Sequence, residues 1–551
     1  MSLTQNPSCT SAGPGLDGLP RDVACSILNL LPFAERHSAV PLVCQRWRAL
    51  VEAAPELRRE AALFLPTRRV LPGLRSLAAW LLRGASADVR CIRLHLHAPL
   101  ASSGVGSSAA PEGSAPDADE ELAIALAAML ATCSGPSAAL RQLSLHVEPG
   151  PLVVSAQLAA ALQSVPQLQS LSIALHCYGG LRVAAPLSSL PALQELSLGA
   201  TLDGMPQLQP GASDLPANEA LQARCQQRGW QYCGGSGAAA TSNGALAVGL
   251  EVLRAVHPCS VLLLPGAALP VGLTRLSVGG LSGLSAVMEG SVLPCLRSLS
   301  LANVHVQPGG INLLARLPAL RRLRLARCWY YPGAQCLAQL SSLQELHLVL
   351  GAPPATWLFG VDPHGDDDER QWQQASQRQI LAGLPAIGGS LRHLVLAGDL
   401  DGLSTADLAP LAELHGLRSL CLWPGRLEGG KTDCGSCSTS DGGAPASFAA
   451  ALPSGAWLRG LSQLAAPAQA LAACQGLMQG ACQLEALGLQ GCCQGDDAWL
   501  TSLLHWAAAQ PGLHTLCLES IGQRGGQEAM QRVCPMLIEH SDALTCRLMA
   551  F

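Results

Sequence analysis

Leu296-Arg-Ser-Leu299-Ser-Leu301, Leu320-Arg-Arg-Leu323-Arg-Leu325 and Leu343-Gln-Glu-Leu346-His-Leu348 repeat one hexad, Leu-x-x-Leu-x-Leu, at starts 24 and 23 residues apart. The Leu-x-Leu half alternates with the period of a short strand, which sends leucines to one face and their neighbours to the other. The residues between hexads carry a helical pattern that packs behind that strand. One such unit has no way to bury its leucines, so its neighbours must supply the rest of the core.

Working outward, the hexad recurs at Leu140-x-x-Leu143-x-Leu145, Leu168-x-x-Leu171-x-Ile173 and Leu193-x-x-Leu196-x-Leu198. Further copies start at Leu273, Leu391, Leu417, Leu484 and Leu513, with a first copy expected at Val89-x-x-Ile92-x-Leu94 and a degenerate last one near Leu544. The uninterrupted period brackets that of the leucine-rich repeat. The expected fold is an α/β solenoid, a horseshoe with parallel strands on its concave face and helices on its convex face, over residues 89–551. Loop-like composition marks insertions near 101–118, 201–244, 351–375 and 425–456, expected to be disordered. A helix is expected at 119–132, and a weak repeat near Leu458 and Leu461.

Hydrophobic residues make up 49% of the chain but aromatics only 3%, which suits many small, similar layers better than one large core. The net charge of −5 supplies no global field to draw a phosphate backbone, so nucleic acid is not an expected partner. No signal-like segment is apparent, and the clearest uncharged apolar run, Leu122 to Ala131, is half the ~20 residues needed to span a bilayer. The reading is a soluble intracellular protein without membrane attachment. Its 22 cysteines then behave as reduced, small apolar side chains, and the lone pair Cys434 and Cys437 falls short of a four-ligand metal site.

Residues 16–56 do not carry the repeat; residues 1–15 read as a disordered N-terminus. Three short helices are expected, with Pro20 in the first turn, an apolar stripe of Val23, Ile27 and Leu30/Leu31, a stop at Pro32, and a last helix opened by Pro41. Leu19-Pro20, Asp22, Ile27-Leu28 and Val43-Cys44-x-x-Trp47 stand at the separations of an F-box, which the segment resembles. That resemblance implies docking on a Skp-type adaptor and its cullin complex, with Leu19, Pro20, Ile27, Leu28, Val43, Cys44 and Trp47 at or behind the contact. Residues 57–88, including Trp80-Leu81-Leu82-Arg83, resemble the helical bridge between such a box and its repeats. The alternative is a helical cap that only covers the open end of the solenoid. Cys328 and Cys492, placed three residues beyond the last leucine of their hexads, resemble the cysteine-containing repeats of F-box proteins.

No nucleophile, base or metal ligands stand at a spacing that suggests catalysis, and no cofactor is expected. Asp362, His364, Asp366, Asp367, Asp368 and Glu369 read as a solvated acidic loop, and His95 and His97 as exposed residues on one strand face. Between the last two leucines of successive hexads stand Ser144, Ser172, Ser197, Ser277 and Ser300, then Arg324 and His347. The change falls at the repeat starting at Leu320, where Arg322 and Arg324 point outward and Trp329-Tyr330-Tyr331 follows. Arginine with aromatics is the composition of binding hot spots, so Arg322, Arg324, Trp329 and Tyr330 are the expected contacts to a protein substrate. The sequence thus reads as a non-catalytic substrate receptor of a ubiquitin ligase, cytoplasmic or nuclear. Its alternative is a repeat scaffold with no ubiquitin role.

Overall fold

The computed structural model describes residues 19–66, 69–83, 85–97, 118–134, 138–148, 152–154, 156–165, 167–175, 181–183 and most of 187–199. It then describes 261–263, 269–279, 293–302, 312–326, 328, 331–350, 367–398, 400, 403–424 and 452–467, with shorter pieces in 470–490, 502–519 and 545–549. The chain divides into two compact units, Met1–Leu196 and Ser197–Phe551.

The first unit opens with five short helices rather than three: α1 (Arg21–Asn29), α2 (Phe33–Ser38), α3 (Val40–Val43), α4 (Gln45–Ala53) and α5 (Pro55–Arg58). Prolines set the breaks. Pro20 and Pro32 sit at the N-caps of α1 and α2, outside the helices, because their fixed φ suits entry but they have no N–H to continue a ladder. The single last helix expected from Pro41 is interrupted by Cys44, whose extended backbone (φ −157°, ψ 164°) separates α3 from α4. Cys25, Leu28, Val40, Val51, Ala54 and Leu57 form the core of this module, with Leu31, Trp47 and Leu50 packed against it.

The segment expected as a helical bridge contains a strand, β1 (Glu60–Leu65), before α6 (Val70–Leu82). β1 pairs in parallel with β2 (Cys91–His97), so that Ala61 and Leu63 lie beside Ile92 and Leu94. Arg58 and Ala61 stand where a hexad has leucines, which is why this rung is not visible as a repeat. α6 is fastened to the helical module by rings: Trp80 meets Phe33 edge-on at 5.2 Å and His37 at 5.1 Å. Beyond it come α7 (Ala118–Ala131), β3 (Gln142–Glu148), β4 (Leu152–Val154), α8 (Ala156–Gln163), β5 (Ser170–Leu175), β6 (Leu181–Val183) and β7 (Glu195–Leu198). β2, β3 and β5 continue the parallel ladder, with Leu94, Leu145 and Ile173 in register.

After β8 (Val261–Leu263), the second unit extends the same plan through β9 (Arg275–Gly279), β10 (Ser298–Ala302), β11 (Arg322–Ala326), β12 (Glu345–Leu350), β13 (His393–Gly398) and β14 (Ser419–Pro424). β15 (Gln463–Pro467), β16 (Ala486–Gln490), β17 (Thr515–Glu519) and β18 (Thr545–Met549) follow. Every adjacent pair from β9 to β18 is parallel, with Leu276, Leu299, Leu323, Leu346, Leu394 and Leu420 in one row. Those side chains are at most 2% exposed. Each fully buried leucine contributes roughly 1.5–3 kcal/mol, and rows of them make one continuous core. β15 is the weak repeat, with Leu461 and Leu464 buried and Ala466 in the third leucine position. The β17–β18 register places Cys546 and Leu548 beside Leu516 and Leu518, which moves the start of the last copy from Leu544 to Ala543.

Two expected insertions are shorter than their composition suggests. Asp367 to Gly383 is a helix of 17 residues, so residues 367–375 are not loop; its buried Ser376 and Gln377 belong to the repeat between β12 and β13. Residues 452–456 likewise belong to the folded part, with Leu452 only 2% exposed. The expectations for residues 1–15, 101–117, 201–244, 351–366 and 425–451 fall outside the described residues. Gly398 ends β13 at φ +95°, where a Cβ would stand 2.1 Å from the Leu350 carbonyl oxygen, so glycine is required there.

Candidate interaction surfaces

The helical module sorts the residues expected at an adaptor contact into two groups. Leu28 is fully buried and Trp47 packs on the same core, so both act behind any contact. Ile27 is 37% and Val43 70% exposed; Pro20 is exposed, while Leu19 and Cys44 are half-buried. The Leu19–Pro20 corner is tied down by Arg46 of α4, whose Nη2 donates to the Leu19 carbonyl.

Sequence reasoning missed three exposed neighbours: Val23 at 40%, Leu30 at 84% and Leu42 at 78%. Val23, Ile27 and Leu30 share the i, i+4, i+7 spacing of one helix stripe, which was legible, but the stripe that faces the core is Ala24, Cys25, Leu28 and Leu31. α1 therefore has two apolar stripes, one of them open.

Behind this surface lies a buried polar cluster. Arg36, 6% exposed, donates from Nη1 to Asn29 Oδ1 at 2.6 Å. His37 packs on Phe33 with ring centroids 4.4 Å apart, and its pKa is depressed to about 4, chiefly by burial and then by the Arg36 charge.

On the strand face of the first unit, His95 is half-buried rather than exposed: it lies between Phe64 at 4.9 Å and His146 at 4.3 Å. The serines take the positions expected between leucines, Ser144 beside Ser172 and Ser277 beside Ser300.

In the second unit β11 and β12 bring Arg322 opposite Glu345 and Arg324 opposite His347. Arg322 Nε donates to Glu345 Oε2 at 2.9 Å, so one of the two expected cations already has a carboxylate. The His347 pKa is lowered, first by burial and then by Arg324; Glu345 opposes the effect, while His393 and Arg322 add to it. Trp329 and Tyr330 lie outside the described residues. Tyr331 is core: its hydroxyl donates to the Val349 carbonyl at 3.1 Å and its N–H to Ser376 Oγ at 2.7 Å.

Cys328, at the turn position, is buried and its thiol lies 3.8 Å from the Leu301 carbonyl of the preceding repeat and 3.7 Å from that of Ala326. Both carbonyls are within reach of the weak donor that a thiol supplies. Among the described residues no group of three or more His, Cys, Asp and Glu side chains is arranged to hold a metal ion. No helix among them is long and apolar enough to cross a membrane.

No protein-family profile matches the chain, and no curated protein matches it. Solved structures do. An internalin, InlF, from Listeria monocytogenes str. 4b F2365 matches with 13% identity over 89% of this chain and 97% of its own, at a TM-score of 0.35. PEPR1 in its AtPEP1 structure matches with 11% identity over 77% of this chain and 42% of its own, at 0.27. The leucine-rich repeat domain of APL1B matches with 10% identity over 77% and 83%, at 0.24. The repeat assignment rests on this chain's own ladder of in-register leucines. The protein is an α/β solenoid of leucine-rich repeats.

Proposed function

We propose that this protein is the substrate receptor of a Skp-cullin-F-box type ubiquitin ligase, acting in the cytoplasm or nucleus. The observation that carries the reading is the open apolar surface of the N-terminal helices. Of the nine large hydrophobic side chains that are exposed among the described residues, Val23, Ile27, Leu30, Leu42 and Val43 all fall within 21 residues. A small module with its own core gains nothing by presenting these to water, and concentrated exposed apolar area marks an interaction site. A helical cap for the first strand would need only the opposite face, the one already used by Leu28, Val51 and Leu57.

In this reading the Leu19–Pro20 corner and the open stripes of α1 and α3 meet the adaptor. α6, ring-packed against α2, transmits the module's orientation to the first strands, and the strand-borne side chains recognise the protein to be modified. Transfer chemistry belongs to other subunits. Co-expression with a Skp-type subunit tests this. Wild type should co-purify with it, and Leu19→Ala with Pro20→Ala should lose it by tenfold or more with an unchanged circular dichroism spectrum. Equal recovery of the adaptor by both proteins removes the F-box reading and leaves a repeat scaffold without a ubiquitin role.

A further inference from the structure

The residue that immediately precedes each strand of the second unit forms a row of its own. Its carbonyl accepts two N–H groups from the next strand: Arg321 and Arg322 donate to Arg297 O, Gln344 and Glu345 to Arg321 O, and Arg418 and Ser419 to Arg392 O. From β10 to β14 this row reads Arg297, Arg321, Gln344, Arg392, Arg418. Arg297, Arg321 and Arg418 are exposed, and their guanidinium groups have no hydrogen-bond or ion-pair partner among the described residues. Arg392 is half-buried and donates from Nη1 to the Gly416 carbonyl at 2.7 Å, which fixes its fork.

The strands add cations beside it, with exposed Arg275 on β9 and Arg322 on β11 and half-buried Arg324 two residues further along β11. Across the strands β9 to β14 and the residues preceding them, Glu345 is the one carboxylate, and Arg322 holds it. The chain as a whole carries more acid than base, 39 residues against 34, so this segregation runs against its composition. All its cations but Lys431 are arginines, whose planar fork suits carboxylate and phosphate oxygens. His347 beside this cluster has its pKa lowered first by burial and then by the Arg324 charge, with Glu345 opposing and His393 and Arg322 adding to the effect.

The other end of these strands is closed. Ala302, Ala326, Val349 and Ala397 form a buried row in register, with Val395 packed against it. The accessible, charged part of the ladder is thus the N-terminal edge of the strands.

We infer that the arginine edge of β10 to β14 binds an extended acidic or phosphorylated polypeptide segment. The row crosses four strand spacings of ~4.8 Å, about 19 Å, which an extended chain covers in about six residues. Nucleic acid fits less well. No Phe, Tyr or Trp occupies the row or the two outward positions of β9 to β13, so no stacking platform for bases is present there. The net charge of −5 also opposes a long polyanion while leaving a short acidic segment to the local field. This deepens the reading of the strand face as the recognition surface and does not depend on the adaptor.

The test is fluorescence anisotropy with the full chain and four labelled probes: an eight-residue Asp/Glu-rich peptide, its phosphoserine counterpart, a Gln/Ser peptide of equal length and a single-stranded oligonucleotide. Wild type should bind at least one acidic peptide, more weakly as salt rises, and should not bind the Gln/Ser peptide. The difference between the two acidic peptides distinguishes carboxylate from phosphate as the preferred group. Arg297→Glu with Arg321→Glu should weaken binding tenfold or more, and Arg418→Glu alone several-fold. These exposed positions leave the core intact, and unchanged circular dichroism checks that. Unaltered affinity in the double variant, tighter binding of the oligonucleotide than of either acidic peptide, or no binding of any acidic probe overturns the inference. Adaptor capture measured on the same preparations keeps the outcomes apart. Capture without peptide binding removes the arginine edge alone, and peptide binding without capture supports the edge while removing the ligase role.

Discussion

Arg322 and Glu345 face each other across the β11–β12 pair, Nε to Oε2 2.9 Å, with side chains 58% and 26% exposed. An ion pair this open contributes little, about 0.2–1 kcal/mol. Glu345→Gln is therefore expected to shift stability by less than about 1 kcal/mol in a urea titration. Its larger effect should be on binding: with Arg322 released, an acidic peptide should bind several-fold more tightly, measured by the same anisotropy assay. Weaker binding would mean that Glu345 orients Arg322 rather than competing for it.

The core prediction concerns Leu323, 1% exposed between the equivalent Leu299 and Leu346. Leu323→Ala should cost about 2–5 kcal/mol, because the neighbouring repeats are held in register and collapse only partly into the cavity. Ser300→Ala, on the opposite face of β10, should be nearly neutral. Urea midpoints of the two variants check both, and similar midpoints would contradict the assigned register.

Gly398 gives a sharper backbone test. Gly398→Ala places a Cβ against the Leu350 carbonyl at φ +95°, and about 1–3 kcal/mol of strain is expected even after adjustment. Gly272→Ala, with no heavy atom within 4 Å of the added carbon, should leave stability unchanged within about 0.5 kcal/mol.

Much of this architecture is legible in the sequence because the hexad is a local pattern: Leu320, Leu323 and Leu325 announce one rung without reference to the others. The rungs that escape are those where a smaller or polar residue holds a leucine position, as with Arg58 and Ala61 at β1 or Ala466 at β15. There the register of the neighbouring strand, not the residue, fixes the pairing. Helix 367–383 escapes for a different reason. Its first turn is acidic, which favours a helix N-terminus as well as it suits a solvated loop, and its buried face is carried by Ser376, Gln377, Ile380 and Leu381. Surfaces are less legible than cores. Arg322 and Arg324 stand out beside leucines, whereas Arg297, Arg321, Arg392 and Arg418 are 24 or more residues apart and become one row only through the ladder.

The His37 environment predicts how stability depends on pH. Its folded pKa of about 4 lies below the ordinary 6.5, so the unfolded chain binds the proton more readily. Stability from this group is complete above pH 6.5 and is lost as pH falls through the window from 6.5 to about 4. The full shift corresponds to about 3 kcal/mol, and solvent screening of a partly exposed ring reduces that to about 1–2 kcal/mol. His37→Gln should flatten the dependence of the urea midpoint on pH across that window. An unchanged slope would assign the acid sensitivity elsewhere.

The most direct test of the account is isothermal titration of the purified chain with a recombinant Skp-type adaptor, repeated with Leu42→Asp and Val43→Asp together. Both side chains are at least 70% exposed, so the substitutions leave the core of the helical module untouched. The predicted result is a one-to-one complex for wild type and affinity at least a hundredfold weaker for the variant, with identical circular dichroism and thermal midpoints. No heat of binding for the folded wild-type chain, or equal affinity in the two proteins, would contradict the account.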